Sequence, residues 1–103
     1  MDAHEAQAAI AVGALALDVR EQDEWDAGHI AGALHIPLGE IGARHVELPL
    51  DRKIVCICRS GGRSAHATAV LTGAGYRIEN LDPGMKGWFA AGLPIEPADG
   101  FIA

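Results

Sequence analysis

The apolar residues of this chain come in short bursts, separated by glycine, proline and charge. An alanine-rich stretch from Asp2 to Ala11, with Asp2 placed to cap it, predicts a short helix. Leu15-Ala16-Leu17, running into Asp18-Val19, reads as a buried strand. Glu21 to Ala27 is polar with Trp25 on one side, a helix that Gly28 would stop. Ala33 to Ile36 is a further apolar run, closed by Pro37, and Leu38 to Val46 has sparse helical spacing at 38, 41 and 46. Asp51-Arg52 reads as a turn, and Ile54 to Ile57 is the strongest strand signal. Ser64 to Thr72 reads as a helix ended by Gly73 and Gly75, and Tyr76 to Leu81 as a strand. Asp82-Pro83-Gly84 reads as a turn, and Met85 to Ala91 as a short helix stopped by Gly92. Glu96 to Ala103 either crosses the sheet edge or hangs free.

Strands therefore alternate with helices, the pattern of an α/β domain with a parallel sheet and helices on both faces. Ligands of such sheets bind at the carboxyl ends of the strands. Cys58 lies at one such end, and Asp18 and Arg20 at another.

The 103 residues suit one domain, taken as 1–103. Hydrophobic residues make up 50% and charged residues 21%, which excludes a disordered chain. The net charge of −6 argues against nucleic acid and anionic membrane as partners. The longest near-continuous apolar stretch, Ala8 to Leu17, is about half of what a spanning helix needs. No Lys or Arg precedes Arg20, so there is no basic start to a secretory signal, and a cytoplasmic location is expected. Cys56 and Cys58 stand two apart in the strongest strand, where a bridge would distort the backbone. The absence of a plausible disulfide fits a reducing compartment. That spacing also lacks the turn a metal pair needs, so no metal or other cofactor is expected.

The informative stretch is Cys58-Arg59-Ser60-Gly61-Gly62-Arg63-Ser64, between the strongest strand and a helix. Cysteine reacts as its thiolate, which helix N-termini and neighbouring arginines favour. Gly61 and Gly62 admit backbone conformations that side chains oppose, so the N–H groups of Ser60 to Ser64 can converge as an anion nest. Arg59 and Arg63 add two cations. Such a loop would hold a Cys58 thiolate, a persulfide formed on it, and an incoming oxyanion. Cys56, between Val55 and Ile57, reads as core, with a resolving thiol as the lesser reading. Asp18 and Arg20 read as an ion pair supporting the loop. His29 is expected to make structural hydrogen bonds, His66 to lie on the surface, and Trp25 and Trp88 to be core aromatics. His4 and His45 carry no signal.

The same loop resembles the active-site loop of the rhodanese family of sulfurtransferases. Three further stretches agree in order and spacing. Leu17-Asp18-Val19-Arg20-Glu21 with Glu24-Trp25 and Gly28-His29-Ile30-Ala31-Gly32-Ala33 resembles the family's first signature. Leu34-His35-Ile36-Pro37 resembles its continuation, where Asn is more usual than His35. Pro83-Gly84-Met85-Lys86-Gly87-Trp88 with Gly92-Leu93-Pro94 resembles its closing signature. The resemblance implies a three-layer rhodanese-like sandwich around a mainly parallel sheet of roughly four to five strands. Family members usually carry a strand before the first helix, and here the chain leaves almost no room for it.

The resemblance also implies a double displacement. Cys58 would be the nucleophile and attack the outer sulfur of thiosulfate or a related donor. Arg59, Ser60, Gly61, Gly62 and Arg63 would bind the anion and the persulfide, with Ser64, Asp18 and Arg20 in support. The acceptor would be cyanide or a thiol, a protein thiol included. Two other classes compete. One is a protein-interaction or sensing module that keeps the fold alone. The other is a cysteine-dependent phosphatase or arsenate reductase, whose loops carry one more residue between cysteine and arginine than Arg59-Ser60-Gly61-Gly62 supplies.

Overall fold

Ile54-Val55-Cys56-Ile57 has no polar alternate, and a strand of that kind must be covered on both faces. In the computed structural model, which describes residues 1–103, this run is β3 (Ile54–Ile57), buried throughout. It pairs in parallel with β1 (Leu15–Asp18) and with β4 (Ile78–Asn80), and β1 pairs in parallel with β2 (Leu34–His35). The order is β2-β1-β3-β4, and the register sets Leu17 beside Cys56 and Asp18 beside Ile57. The helices are α1 (Ala3–Ala11), α2 (Gln22–Ala27), α3 (Ile41–Arg44), α4 (Gly62–Gly73) and α5 (Gly84–Ala90).

Side chains alternate across a strand, so β3 feeds two cores. Val55 and Ile57 pack with Ala3 and Ala6 of α1 and with Met85 and Trp88 of α5. Ile54 and Cys56 pack on the opposite face with Ala67 and Leu71 of α4 and Ile41 of α3. Each aliphatic side chain fully buried there contributes about 1.5–3 kcal/mol. The expected three-layer sandwich is therefore present, with four parallel strands. Trp88 is core as expected, and its indole N–H donates to the Pro94 carbonyl at 2.9 Å.

Several boundaries differ from the sequence reading. The strand expected over 76–81 is confined to β4, because Tyr76 turns inward and its hydroxyl donates to the His45 carbonyl at 2.6 Å. Residues 38–46 do not make one helix: a 3-10 turn (Leu38–Glu40), α3 and a second 3-10 turn (His45–Glu47) follow one another. Of its apolar residues only Ile41 is buried, so no continuous stripe holds a longer helix. The Asp2 cap is confirmed as a reciprocal capping box with Glu5.

Gly28 ends α2 for a different reason from the one expected. Its φ of 173° is extended backbone, not a left-handed cap. What requires glycine is closeness: a Cβ there would lie 2.8 Å from the Phe101 carbonyl oxygen and 2.9 Å from Ile95 Cδ1. Residues 96–103 thus neither cross the sheet nor hang free. They fold back over the end of α2, with a His29–Glu96 bridge and Phe101 N–H donating to the Ala27 carbonyl at 3.0 Å. Ahead of α1, Met1 lies beside the end of β4, its amino group donating to the Asn80 carbonyl and its carbonyl accepting from Asp82 N–H.

Candidate active site

β3 ends at Ile57, and α4 begins at Gly62 after a tight turn. Gly61, the residue before α4, has φ +103°, a left-handed conformation that glycine adopts without a Cβ penalty. A Cβ on Gly61 would also collide with the backbone carbonyl of Asp82. This turn drops the Cys58 sulfur onto the N-terminal end of α4, where N–H groups have no intrahelical partner. Gly61 N–H donates to Cys58 Sγ at 3.1 Å, and Ser64 Oγ lies 3.3 Å from the same sulfur.

The loop is held in that shape from behind. The first turn of α5 donates Met85 N–H to the Cys58 carbonyl at 2.8 Å and Lys86 N–H to the Arg59 carbonyl at 3.0 Å. With its carbonyls turned outward to α5, the loop keeps its N–H groups for the sulfur. Gly84, at φ +63°, makes this approach possible, since any Cβ would strike the Arg59 carbonyl. The Gly61 carbonyl accepts from Ala65 N–H at 3.0 Å and from Asn80 Nδ2 at 3.2 Å.

Desolvation pushes the Cys58 thiol up, since the residue is 1% exposed. The Ser64 hydroxyl and the N–H groups of Ser64, Gly61 and Ser60 outweigh it and hold the thiol below its ordinary range. Cys56 lies on the same face of the sheet and behaves oppositely. Burial pushes it up to about 12, so it stays a neutral core thiol. Both cysteines are free.

The two arginines have different surroundings. Arg63 is bound at both terminal nitrogens by Glu24, Nη1–Oε1 and Nη2–Oε2 each at 2.7 Å. The Arg63 contact holds the Glu24 carboxyl down at about 2. Arg63 therefore meets a carboxylate of this chain, where the sequence reading had it free for a donor. Arg59 pairs with no Asp or Glu side chain; its Nε donates to the Ala103 main-chain oxygen at 2.8 Å. Ser60 and Gly62 form the exposed rim.

Asp18 and Arg20 form a fully buried pair, with Arg20 Nη2 2.7 Å from Asp18 Oδ2. Arg20 also donates to the Glu24 carbonyl at 3.2 Å and the Gly28 carbonyl at 2.8 Å, tying the middle and the C-terminal end of α2 to the sheet. They support the site at one remove, by fixing the helix that carries Glu24. His29 makes its expected hydrogen bond, Nδ1 to the Trp25 carbonyl at 2.8 Å, and His66 is exposed. Trp25 departs from expectation: it is half-buried outside both cores and stacks on His29 at 3.7 Å and His35 at 4.9 Å. His45, which carried no signal, packs edge-on against Tyr76.

Sequence reasoning gave no role to Glu24 or Asn80. Glu24 stood inside the first signature, and an acidic residue there was the available hint. Asn80 left no hint, because its contact with the loop exists only through the β3–β4 pairing.

A model of the rhodanese-like domain matches residues 2–91. An Allochromatium vinosum sulfurtransferase is 42% identical over 87 residues, covering 84% of this chain and 81% of that protein. The thiosulfate sulfurtransferase GlpE of Pseudomonas putida is 33% identical over 89 residues, covering 85% and 80% respectively. The HTH-type transcriptional regulator Rv0324 of Mycobacterium tuberculosis is 42% identical over 82 residues, and there the match spans 78% of this chain but 36% of the regulator. Among solved structures, a rhodanese-related protein from Thermoplasma volcanium superposes with a TM-score of 0.88 at 33% identity, covering 92% of this chain and 94% of that one. A family match over nearly the whole chain, on a fold with the same layers, leads to one assignment: the chain belongs to the family of rhodanese-like domains.

Proposed function

We propose that this protein is a sulfurtransferase that carries sulfane sulfur as a persulfide on Cys58. The observation that carries the reading is the ring of donors around one sulfur, Gly61 N–H and Ser64 Oγ with the neighbouring N–H groups, which favours the thiolate over the thiol. The thiolate attacks the outer sulfur of thiosulfate or a related donor. The S–S bond of thiosulfate breaks, sulfite leaves with the electron pair, and Cys58 keeps the sulfur. The N–H groups that favoured the thiolate then face the persulfide's terminal sulfur. A thiophilic acceptor, cyanide or the thiol of a small molecule or protein, removes it and restores the thiolate. Arg59 is the loop cation left to attract an anionic donor. Two free thiols, one of them functional, suit the cytoplasm.

The phosphatase reading has less support. Phosphoryl transfer needs room for three equatorial oxygens in line with the nucleophile, together with a proton for the leaving group. The loop is short, and the acids near it are committed: Glu24 to Arg63, and Asp82 to the Met1 amino group at 2.7 Å.

Intact-mass measurement after thiosulfate treatment tests the proposal. A single added sulfur that disappears on adding cyanide is expected in the parent protein and in Cys56→Ser, and no addition in Cys58→Ser. Equal loss in both folded variants would replace the single-thiol mechanism with a dithiol one.

A further inference from the structure

The sequence assigns three arginines to the site, Arg59 and Arg63 in the Cys58 loop and Arg20 far upstream, and a dianionic donor would gain from all of them. In the fold two are already matched. Arg20 is sealed against Asp18, and Arg63 is gripped at both terminal nitrogens by Glu24. The Glu24 side chain is 14% exposed and Arg63 36%, so the pair borders solvent on one side. Glu24 is anchored independently, its Oε1 accepting from Glu21 N–H at 3.0 Å. Glu21 adds a second negative group that acts on Arg63. The cations near the loop that pair with no Asp or Glu side chain are Arg59, whose Nε donates to the Ala103 main-chain oxygen, and, on α5, the exposed Lys86. Nothing at the loop requires a second anionic group on the donor.

We infer, on the reading of Cys58 as the sulfur-accepting nucleophile, that Glu24 sets donor choice: by matching Arg63 it makes the site favour the persulfide of a small thiol, R–S–SH, over the thiosulfate dianion. Both donors present a terminal sulfur for Cys58 to attack. They differ in what stands behind it. Thiosulfate brings a sulfonate and two negative charges to a loop whose Arg63 is already matched by Glu24. A persulfide with an uncharged R group brings at most one. The step balances as Cys58–S⁻ attacking the outer sulfur of R–S–SH. The donor S–S bond breaks, its electron pair leaves on R–S, the proton passes to that sulfur, and Cys58–S–S⁻ and R–SH result. No external oxidant or reductant is consumed. Glu24 is a positioning residue here; it touches Arg63, not the reacting atoms.

The test compares rates of sulfur loading on Cys58, read by intact mass after rapid quenching, with thiosulfate and with 2-hydroxyethyl persulfide. The parent protein is expected to load faster from the persulfide. Glu24→Gln keeps the oxygen that accepts from Glu21 N–H and removes the charge. It is expected to shift the donor ratio toward thiosulfate by about tenfold, the scale of one charge contact at a part-exposed site, and to steepen the salt dependence of thiosulfate loading. Arg63→Gln leaves Glu24 unopposed and is expected to move the ratio the other way. Opposite shifts support the inference. An unchanged ratio in folded Glu24→Gln, or a parallel fall with both donors in both variants, overturns it and leaves Arg63–Glu24 a structural clamp. Loading from neither donor by the parent protein removes the sulfurtransferase reading, and the inference with it.

Discussion

Ser64→Ala isolates the hydroxyl that faces the Cys58 sulfur. Ser64 Oγ has one proton and two acceptors, Cys58 Sγ and the Gly61 carbonyl, both at 3.3 Å. When the thiol ionises, the proton is drawn to the sulfur. Hydrogen bonds to charged groups contribute roughly 1.5–3 kcal/mol, and the competing carbonyl argues for the low end. About 1.5 kcal/mol corresponds to roughly tenfold less thiolate at a fixed pH below the titration point. The assay is the rate of iodoacetamide alkylation against pH, in a Cys56→Ser background so that one sulfur reports. The sign follows from the direction of the shift. Cys58 is held below the ordinary thiol value, so its thiolate persists as pH falls and is lost only below that depressed midpoint. Ser64→Ala should move the midpoint upward, reduce alkylation about tenfold on the acid side, and leave the alkaline plateau unchanged. Superimposable profiles would refute the role given to the hydroxyl. A uniform fall at every pH would mean that the loop had come apart instead.

Three further outcomes are expected. Asp18→Asn leaves the wholly buried Arg20 without its carboxylate and should cost about 3–5 kcal/mol, read by chemical denaturation. Gly61→Ala forces a Cβ into left-handed backbone and against the Asp82 carbonyl; the alkylation midpoint should rise while the far-UV spectrum is kept. Glu24 sits near 2 in the fold against 4.5 ordinarily, so its contribution is present above 4.5 and is lost as pH falls toward 2. Denaturation midpoints across that window should fall less steeply in Glu24→Gln than in the parent.

What could be read from the sequence depended on how local the cause was. β3 and the Cys58 loop were legible because a continuous apolar run, two glycines and a helix start are neighbours in the chain. The Asp2 cap and the Asp18–Arg20 pair are local in the same sense, spanning three and two residues. The charge state of the loop was not legible. Arg63 looked available because nothing beside it in sequence is acidic, and its partner Glu24 lies 39 residues away on α2. Gly28 was correctly marked as a stop, but the reason for it, a tail returning from residue 101, is a tertiary fact. Trp25 was expected in the core; the two imidazoles stacked on it, His29 and His35, come from separate turns of the chain.

The brevity of the outer strands has a consequence for self-association. A sheet margin with a long row of free N–H and C=O groups invites strand addition by another molecule. Here β2 is two residues long and is closed by Pro37 two positions after it ends. β4 is three residues long, carries Glu79 at its centre, and has Met1 bonded across its last residue. Neither flank offers a register over which a foreign strand could zip. The molecule can therefore be concentrated, or joined to other domains, with little tendency to grow edge to edge.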